Sequence, residues 1–316
     1  MNLILKNEIK KDIESVNKTL SLIMRPKCNL TNDVYKQVIG SGKRLRPLIV
    51  LYTALALGYK DINAALRVGS IVELIHTASL LHDDIIDEAL TRRGNPTAHK
   101  VFGTKSAVLG GDYLYSLAFN EVLSFDARIA DTISKAAYLL TEGELQELEN
   151  AFNPSLSEDD YYDIIYKKTS VLIEASSISG AVLGDDKYIE AFKEYGKNLG
   201  FAFQIKDDCL DYDSDIETLG KDVGSDLKEG KITLPVLYAQ NNDNNLSGMI
   251  KAYFDKQDDL LYEKIDRSVK ENGVATAIKK AEEFSEKAKC AIEFLPKSKY
   301  KKYLTAIADY SIERKR

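Results

Sequence analysis

The chain has 316 residues, of which 44% are hydrophobic and 29% charged, and its formal net charge at pH 7 is −6. This composition is typical of a globular protein, and the negative charge disfavours general binding to nucleic acids or to anionic membranes. The three cysteines are far apart and lack CxxC spacing, which disfavours structural disulfides and predicts a protein of the reducing cytoplasm.

The N-terminal part of the chain has a helical pattern. The stretch MNLILKNEIKKDIESVNKTL carries charges every few residues, so it predicts an amphipathic helix rather than a signal peptide. Pro47 is suited to the first turn of a later helix. From Ala64 to Asp84 the apolar residues recur at three- and four-residue steps, the spacing of a buried helix. No apolar run approaches the roughly 18 residues that span a bilayer, so no transmembrane segment is expected.

The remaining elements are also helical. Arg92–Thr97 and Phe152–Asp160 contain turn-forming residues and predict loops that precede new helices. From Glu158 to Gly184 the pattern covers about seven turns of about 3.6 residues each. Alternating β-branched runs are absent from the sequence. The sequence therefore predicts an all-α protein in which residues 1–316 form one domain, a single large bundle with the long middle helices in its core.

Two stretches place three aspartates at the end of an apolar helical pattern. In LLHDDIIDEALTRR, Asp83 and Asp87 lie four residues apart on one helical face, with Asp84 beside them. The stretch FAFQIKDDCLDYDSD repeats this spacing between Asp207 and Asp211. Clustered carboxylates repel one another unless a cation is present, and oxygen ligands without thiols favour Mg²⁺ bridging to substrate phosphates. A solvated helix end is the alternative for either cluster alone, and the repetition disfavours it.

Basic stretches that could bind phosphates are distributed along the same chain. The first, GSGKRLRP, superficially resembles a P-loop, but Gln37 stands where the first glycine belongs and Arg44 replaces the serine or threonine. Taken alone, it is also compatible with a basic turn before a helix. The other basic stretches are TRRGNPT, YKKTS, GKDVGSD and EGKITLP.

In this order the motifs resemble those of the trans-type polyprenyl diphosphate synthases, in particular the long-chain bacterial type. LLHDDIID and FQIKDDCLD match the two aspartate-rich motifs; GKRLRP, RRGNPT, GDYL, KKTS and EGKITLP match the intervening signatures, and YSIERKR resembles the usual C-terminal ending. The resemblance implies an isoprenoid-synthase fold, a bundle of long helices around a deep central cavity whose mouth lies between the two aspartate motifs. It also implies about three Mg²⁺ ions per active site, with Mn²⁺ as a substitute.

The resemblance also assigns roles to individual residues. The metal ligands are expected among Asp83, Asp84, Asp87, Asp207, Asp208 and Asp211, with Asp83, Asp87 and Asp207 as the direct ligands. The residues expected to hold the allylic diphosphate are Arg92, Lys168 and Lys221. Those expected to hold isopentenyl diphosphate are Gly42, Lys43, Arg46, His76 and Arg93. The oxygens expected to face the developing carbocation are those of Thr169 and Gln204.

Three further positions, Lys231, His76 and Glu147, are interpreted separately. Lys231 is expected to close over bound diphosphate. A lone histidine among apolar neighbours, such as His76, is often a core residue. The family often carries GExxQ where this chain has GELQE, so Glu147 stands in place of the glutamine and is left out of the predicted site.

The implied reaction is 1'-4 condensation of isopentenyl diphosphate with an allylic diphosphate, giving an all-trans polyprenyl diphosphate. Ala78 and Ser79 precede Asp83 by about one turn, where synthases of the short-chain type carry a large aromatic residue. Each turn adds about 5.4 Å, comparable with one isoprene unit, so the small residues predict a product of roughly C30 to C50, suited to a quinone side chain. The floor of the cavity is expected deeper, at an aromatic residue such as Phe119.

Several alternatives remain open. A short-chain farnesyl or geranylgeranyl diphosphate synthase would use the same motifs. A terpene cyclase would not need Arg93 or the basic stretch Gly40–Pro47, and a non-catalytic subunit of a heteromeric synthase would lack one or both aspartate motifs. The resemblance further implies that the protein is a homodimer. It also implies that the protein binds the two diphosphate substrates and that its lipid product reaches a membrane.

Overall fold

The computed structural model describes residues 3–39, 42–213 and 224–314. The first half of the chain forms α1 (Leu3–Ile23), α2 (Asn29–Ile39), α3 (Leu45–Ala56), α4 (Ile62–Ile86), β1 (Thr91–Arg92), β2 (Asn95–Pro96), α5 (Ala98–Phe102), α6 (Thr104–Val122) and α7 (Ala127–Glu149). It continues with α8 (Glu158–Ile165), a π-helical turn (Tyr166–Ser170), α9 (Val171–Gly184), a 3₁₀ turn (Asp186–Tyr188) and α10 (Ile189–Asp213). The chain then forms α11 (Ser225–Lys228), α12 (Leu234–Asn242), α13 (Leu246–Lys256), α14 (Asp259–Asn272), α15 (Val274–Ala291) and α16 (Lys299–Glu313).

The all-α prediction is confirmed. Among the described residues, β structure is limited to the antiparallel pair β1–β2, in which Arg92 pairs with Asn95. Arg93 and Gly94 between the strands both have positive φ, 53° and 78°, as a two-residue hairpin turn requires. The stretch predicted as a loop is therefore a tight hairpin.

The chain divides into two compact units, each assembled from several stretches of sequence. Unit 1 comprises Met1–Tyr138, Leu172–Gly196 and Lys289–Ile307. Unit 2 comprises Leu139–Val171, Lys197–Ala288 and Ala308–Arg316. The first aspartate motif belongs to unit 1 and the second to unit 2, and the expectation of a single domain over residues 1–316 stays a prediction.

Helix α4 is the central helix of unit 1. It begins at the N-cap Asp61, whose side chain accepts a hydrogen bond of 3.0 Å from the Ala64 backbone N–H. It packs on α3 without a side chain at Gly69, where a Cβ atom would lie 2.9 Å from Pro47 Cα. By length and composition α4 could cross a membrane, although the sequence predicted no transmembrane segment. In the structure, 72% of the most apolar part of α4 is buried inside the protein.

In unit 2 the YKKTS motif forms a π-helical turn that follows α8. Helix α8 begins with a capping box in which Ser157 and Asp160 bond each other's backbone N–H. The π-helical turn Tyr166–Ser170 then widens the helix before α9 begins. Helix α10 passes close to this turn, since a Cβ on Gly200 would lie 2.4 Å from Ser170 Cα. Such π-helical turns are frequent at functional sites, because the extra residue redirects neighbouring side chains.

Candidate active site

The first aspartate motif lies at the C-terminal end of α4. Asp84 is buried, and its Oδ1 accepts a charge-assisted hydrogen bond of 2.6 Å from Arg92 Nε. Asp83 and Asp87 are partly accessible, and the Asp87 backbone N–H donates to the Asp83 carbonyl at 2.8 Å. Carboxylates at a helix C-terminus are disfavoured by the helix dipole. A cation beside Asp83 and Asp87 would offset this cost, so their oxygens fit a hard metal ion.

Most residues predicted for isopentenyl diphosphate lie together in unit 1. Burial lowers the pKa of the His76 imidazole well below its usual range, and the charges of Arg46, Arg93, Arg92 and Arg44 lower it further. His76 is therefore neutral in a strongly cationic environment, which favours a bound anion. Among the predicted residues, Lys43 is exposed to solvent.

The basic turn before α3 is held by Arg44, to which the sequence analysis assigned no role in the site. Arg44 is buried, has a left-handed backbone conformation with φ of 53°, and forms an ion pair of 2.9 Å with the buried Glu73. Its guanidinium also donates to Asn17 Oδ1 at 2.8 Å and to a backbone carbonyl of α2. A Cβ on Gly42 would lie 2.3 Å from Arg44 Nη1, so a side chain there would displace the Arg44 guanidinium from its ion pair with Glu73. Arg44 therefore positions the basic turn.

The two residues predicted to set product length lie on α4. Ala78 is fully buried, whereas Ser79 is partly accessible and its hydroxyl donates to the His76 carbonyl at 3.0 Å. Phe119 of α6 is 37% exposed and stacks on Tyr115 with ring centroids 6.2 Å apart. No large side chain is present at positions 78 and 79 themselves.

The second aspartate motif occupies the last turns of α10 in unit 2. Asp207 is exposed and forms an ion pair of 2.7 Å with Arg314. Asp211 is buried, and it accepts hydrogen bonds of 3.3 and 3.1 Å from the backbone N–H groups of Ser225 and Asp226. Asp226 was not predicted from the sequence; burial and the neighbouring Asp211 and Asp208 raise its pKa well above the usual range.

A partly buried series of hydrogen bonds joins the second motif to the π-helical turn. The Thr169 hydroxyl donates to Gln204 Oε1 at 2.6 Å, and Gln204 Nε2 donates to Asp208 Oδ1 at 2.8 Å. Tyr161, also missed in the sequence, donates its hydroxyl to Asp208 Oδ2 at 2.6 Å. Burial raises the pKa of Asp208 to about 7, although both hydrogen bonds act to lower it. These hydrogen bonds fix the orientation of the Thr169 and Gln204 oxygens, which are predicted to face a carbocation.

Lys168 and Lys231, the predicted site lysines that the structure describes in unit 2, are paired with glutamates. Lys168 Nζ lies 2.9 Å from Glu144 Oε2 and also contacts Glu147 Oε2. Lys231 Nζ lies 2.6 Å from Glu229 Oε2 and 3.6 Å from the same Glu147 oxygen. Lys221, predicted to bind the allylic diphosphate, lies outside the described residues.

Neither motif forms a complete metal site by itself. Within residues 3–39, 42–213 and 224–314, no group of three or more His, Cys, Asp or Glu side chains is arranged to hold a metal ion. This is compatible with Mg²⁺, which keeps several waters and uses one or two carboxylates together with substrate phosphates.

Known proteins resemble this chain over nearly its whole length. The family model described as polyprenyl synthetase matches residues 28–270. Octaprenyl diphosphate synthase of Haemophilus influenzae is 37% identical over 310 residues, which cover 96% of this chain and 94% of that protein. All-trans-nonaprenyl-diphosphate synthase (geranyl-diphosphate specific) of Rhodobacter capsulatus is 35% identical over 311 residues, covering 97% and 96%.

A solved structure gives the same result for the fold. The polyprenyl synthase of Caulobacter crescentus CB15, crystallised with calcium and isoprenyl diphosphate, has a TM-score of 0.92 at 31% identity and covers 99% of this chain and 97% of its own. These matches confirm the predicted resemblance to long-chain trans-polyprenyl diphosphate synthases. The chain belongs to the polyprenyl synthetase family and is a prenyltransferase.

Proposed function

We propose that this chain elongates an allylic diphosphate with isopentenyl diphosphate in a 1'-4 condensation and releases an all-trans polyprenyl diphosphate. The observation that carries the proposal is that each aspartate motif ends a long helix whose unit also contains a separate group of cations. In unit 1 this group includes Arg46 and Arg93 around His76. In unit 2 it consists of Lys168 and Lys231. Two anionic substrates need two such groups.

The accessible aspartates are the ones suited to hold divalent metal. Asp83, Asp87 and Asp207 are accessible, whereas Asp84 and Asp208 are buried and engaged by Arg92 and by Tyr161. Bound Mg²⁺ would supply Lewis-acid polarisation of the diphosphate oxygens. The number of ions and the use of Mn²⁺ are part of the proposal.

The other roles follow from the contacts of each side chain. Arg46 and Arg93 bind the diphosphate of the isopentenyl substrate. A Cβ on Gly42 would lie 3.5 Å from Arg93 Nη1, so the missing side chain leaves the Arg93 guanidinium room to approach the diphosphate. Lys168 and Lys231 bind the allylic diphosphate and the pyrophosphate that leaves. The oriented oxygens of Thr169 and Gln204 stabilise positive charge on the allyl group. No side chain is assigned as the base, and the leaving pyrophosphate is the proposed proton acceptor.

We propose a long-chain product of roughly C30 to C50, each isoprene unit corresponding to about one 5.4 Å helical turn. The buried methyl group of Ala78 and the small side chain of Ser79, whose hydroxyl donates to the His76 carbonyl, support this, since neither obstructs a growing chain. The octaprenyl and nonaprenyl names of the two curated relatives support it further. A farnesyl or geranylgeranyl product is the alternative.

We also propose that two copies associate through α6 to form the predicted homodimer. Val108, Leu109, Phe119 and Leu123 are exposed, and at about 3.6 residues per turn they fall within about 100° of the helix circumference. An exposed apolar strip of this kind is typical of an interaction surface. Sedimentation should show a dimer, and replacing both Leu109 and Leu123 by Glu should yield monomers.

A cytoplasmic location is proposed for the same protein. Cys28, Cys209 and Cys290 are free thiols, as expected in a reducing compartment.

The function is tested with the purified chain alone. It should incorporate labelled isopentenyl diphosphate onto an allylic diphosphate in Mg²⁺, and chromatography of the dephosphorylated prenols should show long products. Incorporation that requires a second polypeptide would favour the heteromeric alternative. Cyclised hydrocarbon from the allylic substrate alone would favour a terpene cyclase.

A further inference from the structure

Helix α7 carries a carboxylate that contacts both Lys168 and Lys231 in unit 2. One oxygen of Glu147 contacts Lys168 Nζ and lies 3.6 Å from Lys231 Nζ. The three side chains are largely shielded, with 24% of Lys168, 20% of Glu147 and 19% of Lys231 accessible. In this environment charge interactions are stronger than at an open surface.

The lysine group is already neutralised from within the protein. Two ammonium groups, those of Lys168 and Lys231, face three carboxylates, those of Glu144, Glu147 and Glu229. Burial alone would lower the pKa of Lys168, but attraction to Glu147 and Glu144 outweighs it and the pKa is raised. Lys168 is therefore a fully charged ammonium whose charge is balanced before any ligand binds.

A diphosphate that binds these lysines must compete with Glu147. Glu144 contacts Lys168 and Glu229 contacts Lys231. A phosphate that joins the two lysines can therefore bind with both of these carboxylates in place. Glu147 contacts both, so it lies where a bridging phosphate oxygen would lie. Repulsion between its carboxylate and the phosphate also opposes binding.

We propose that Glu147 is an internal counter-ion that the diphosphate displaces from Lys168 and Lys231, and that it thereby weakens the binding of pyrophosphate and favours its release after each condensation. The inference rests on the proposed function of these lysines. Glu147 acts through the lysines, so it is a positioning residue. An enzyme that adds many isoprene units must release pyrophosphate after every addition, and uniformly tight binding of the diphosphate would slow that step.

The test is Glu147→Gln, which keeps the shape of the side chain and removes its charge. Calorimetry with inorganic pyrophosphate in Mg²⁺ buffer should show binding tighter by on the order of tenfold, since one close charge competitor is lost. Steady-state kinetics should show a lower KM for the allylic diphosphate and a lower kcat. Lys168 keeps Glu144 as a partner, so the variant is expected to fold.

The matched control is Glu142→Gln on the same helix. Glu142 pairs with Lys167 at 2.9 Å, so this variant makes the same change in net charge without touching Lys168. Its pyrophosphate affinity should equal that of the wild type.

Two further variants separate the inference from the function on which it rests. Lys168→Ala and Lys231→Ala should each weaken pyrophosphate binding. In a protein that carries both of these substitutions, adding Glu147→Gln should not change the pyrophosphate affinity further. Unchanged or weaker binding in Glu147→Gln, with both lysine variants weakened, overturns the counter-ion and leaves the proposed site standing. Unchanged binding in both lysine variants overturns the proposed diphosphate site itself.

Discussion

Arg314 binds Asp207 with its guanidinium Nη1 2.7 Å from the carboxylate Oδ1, and so ties the end of α16 to the first aspartate of the second motif within unit 2. The same guanidinium lies 3.8 Å from the centroid of the Phe203 ring and donates to the Phe203 carbonyl at 2.5 Å. Arg314 is buried, whereas Asp207 remains exposed on its other side. Asp207 can therefore be held by Arg314 and still present oxygen to a metal ion.

Arg314→Ala should lower the free energy of unfolding by about 2–3 kcal/mol, because it removes an ion pair, a hydrogen bond and a cation–π contact from a shielded position. Urea denaturation is the measurement. The exposed Arg267 provides the control, and Arg267→Ala should change the free energy by less than about 0.5 kcal/mol. Equal effects of the two substitutions would mean that the Arg314 contacts contribute little to stability.

Asp83→Asn and Asp207→Asn should each lower kcat by on the order of 10²–10³, because each removes one charge that acts on the reacting diphosphate through bound metal. Initial rates at saturating substrates are the measurement, and EDTA should abolish turnover of the wild type. Asp131→Asn, on the exposed surface of α7, is the control and should leave kcat unchanged. Near-normal turnover by a folded Asp83→Asn or Asp207→Asn protein would refute the metal assignment.

Arg46→Ala and Arg93→Ala should raise KM for isopentenyl diphosphate by on the order of tenfold or more, since a charge-assisted contact to phosphate is lost. Lys168→Ala should instead act on the allylic substrate. Each substrate is varied in turn at saturation of the other. If all three variants change both KM values equally, the separation into two diphosphate sites is wrong.

Asp208 predicts a pH dependence of stability in the metal-free protein. Its pKa rises on folding from 3.8 to about 7, so the folded state binds more protons between these values. The contribution of Asp208 to stability is therefore present at acid pH and is lost as the pH rises from about 4 to about 7. Thermal unfolding in EDTA should show that Asp208→Asn gains stability relative to the wild type across this window. A constant difference between the two proteins would contradict the raised pKa.

Ala78→Phe should shift the products toward C15 or C20 while preserving the first condensation, because a ring would then lie across the path of the growing chain. Chromatography of the prenols measures the shift. Since Ala78 is fully buried, the ring could also destabilise the fold by overpacking. Ser79→Phe, at a partly accessible position, serves as the second variant. Unaltered products from a folded variant of either kind would reject this account of chain length.

Local patterns were enough to predict the fold class and the family. The three- and four-residue apolar spacing in α4 and the capping residues of α8 depend on neighbours along the chain, so they can be recognised without a structure. The same is true of the DDxxD spacing and the order of the motifs. Positive φ at both Arg93 and Gly94 was not predicted, because the first residue is not one that typically adopts that conformation.

The sequence by itself determined which residue types are available to the site: six aspartates, the basic stretches and the small residues before the first motif. Only the tertiary structure decided their individual states. Arg92 engages Asp84 from the hairpin, and Tyr161 engages Asp208 from α8, whereas Asp83 and Asp87 stay accessible. These partners are 8 and 47 residues away in the chain, and Arg314 lies 107 positions beyond Asp207. Burial and pairing depend on such distant contacts, so the local pattern does not show which aspartate of a motif is buried and which side chain it binds.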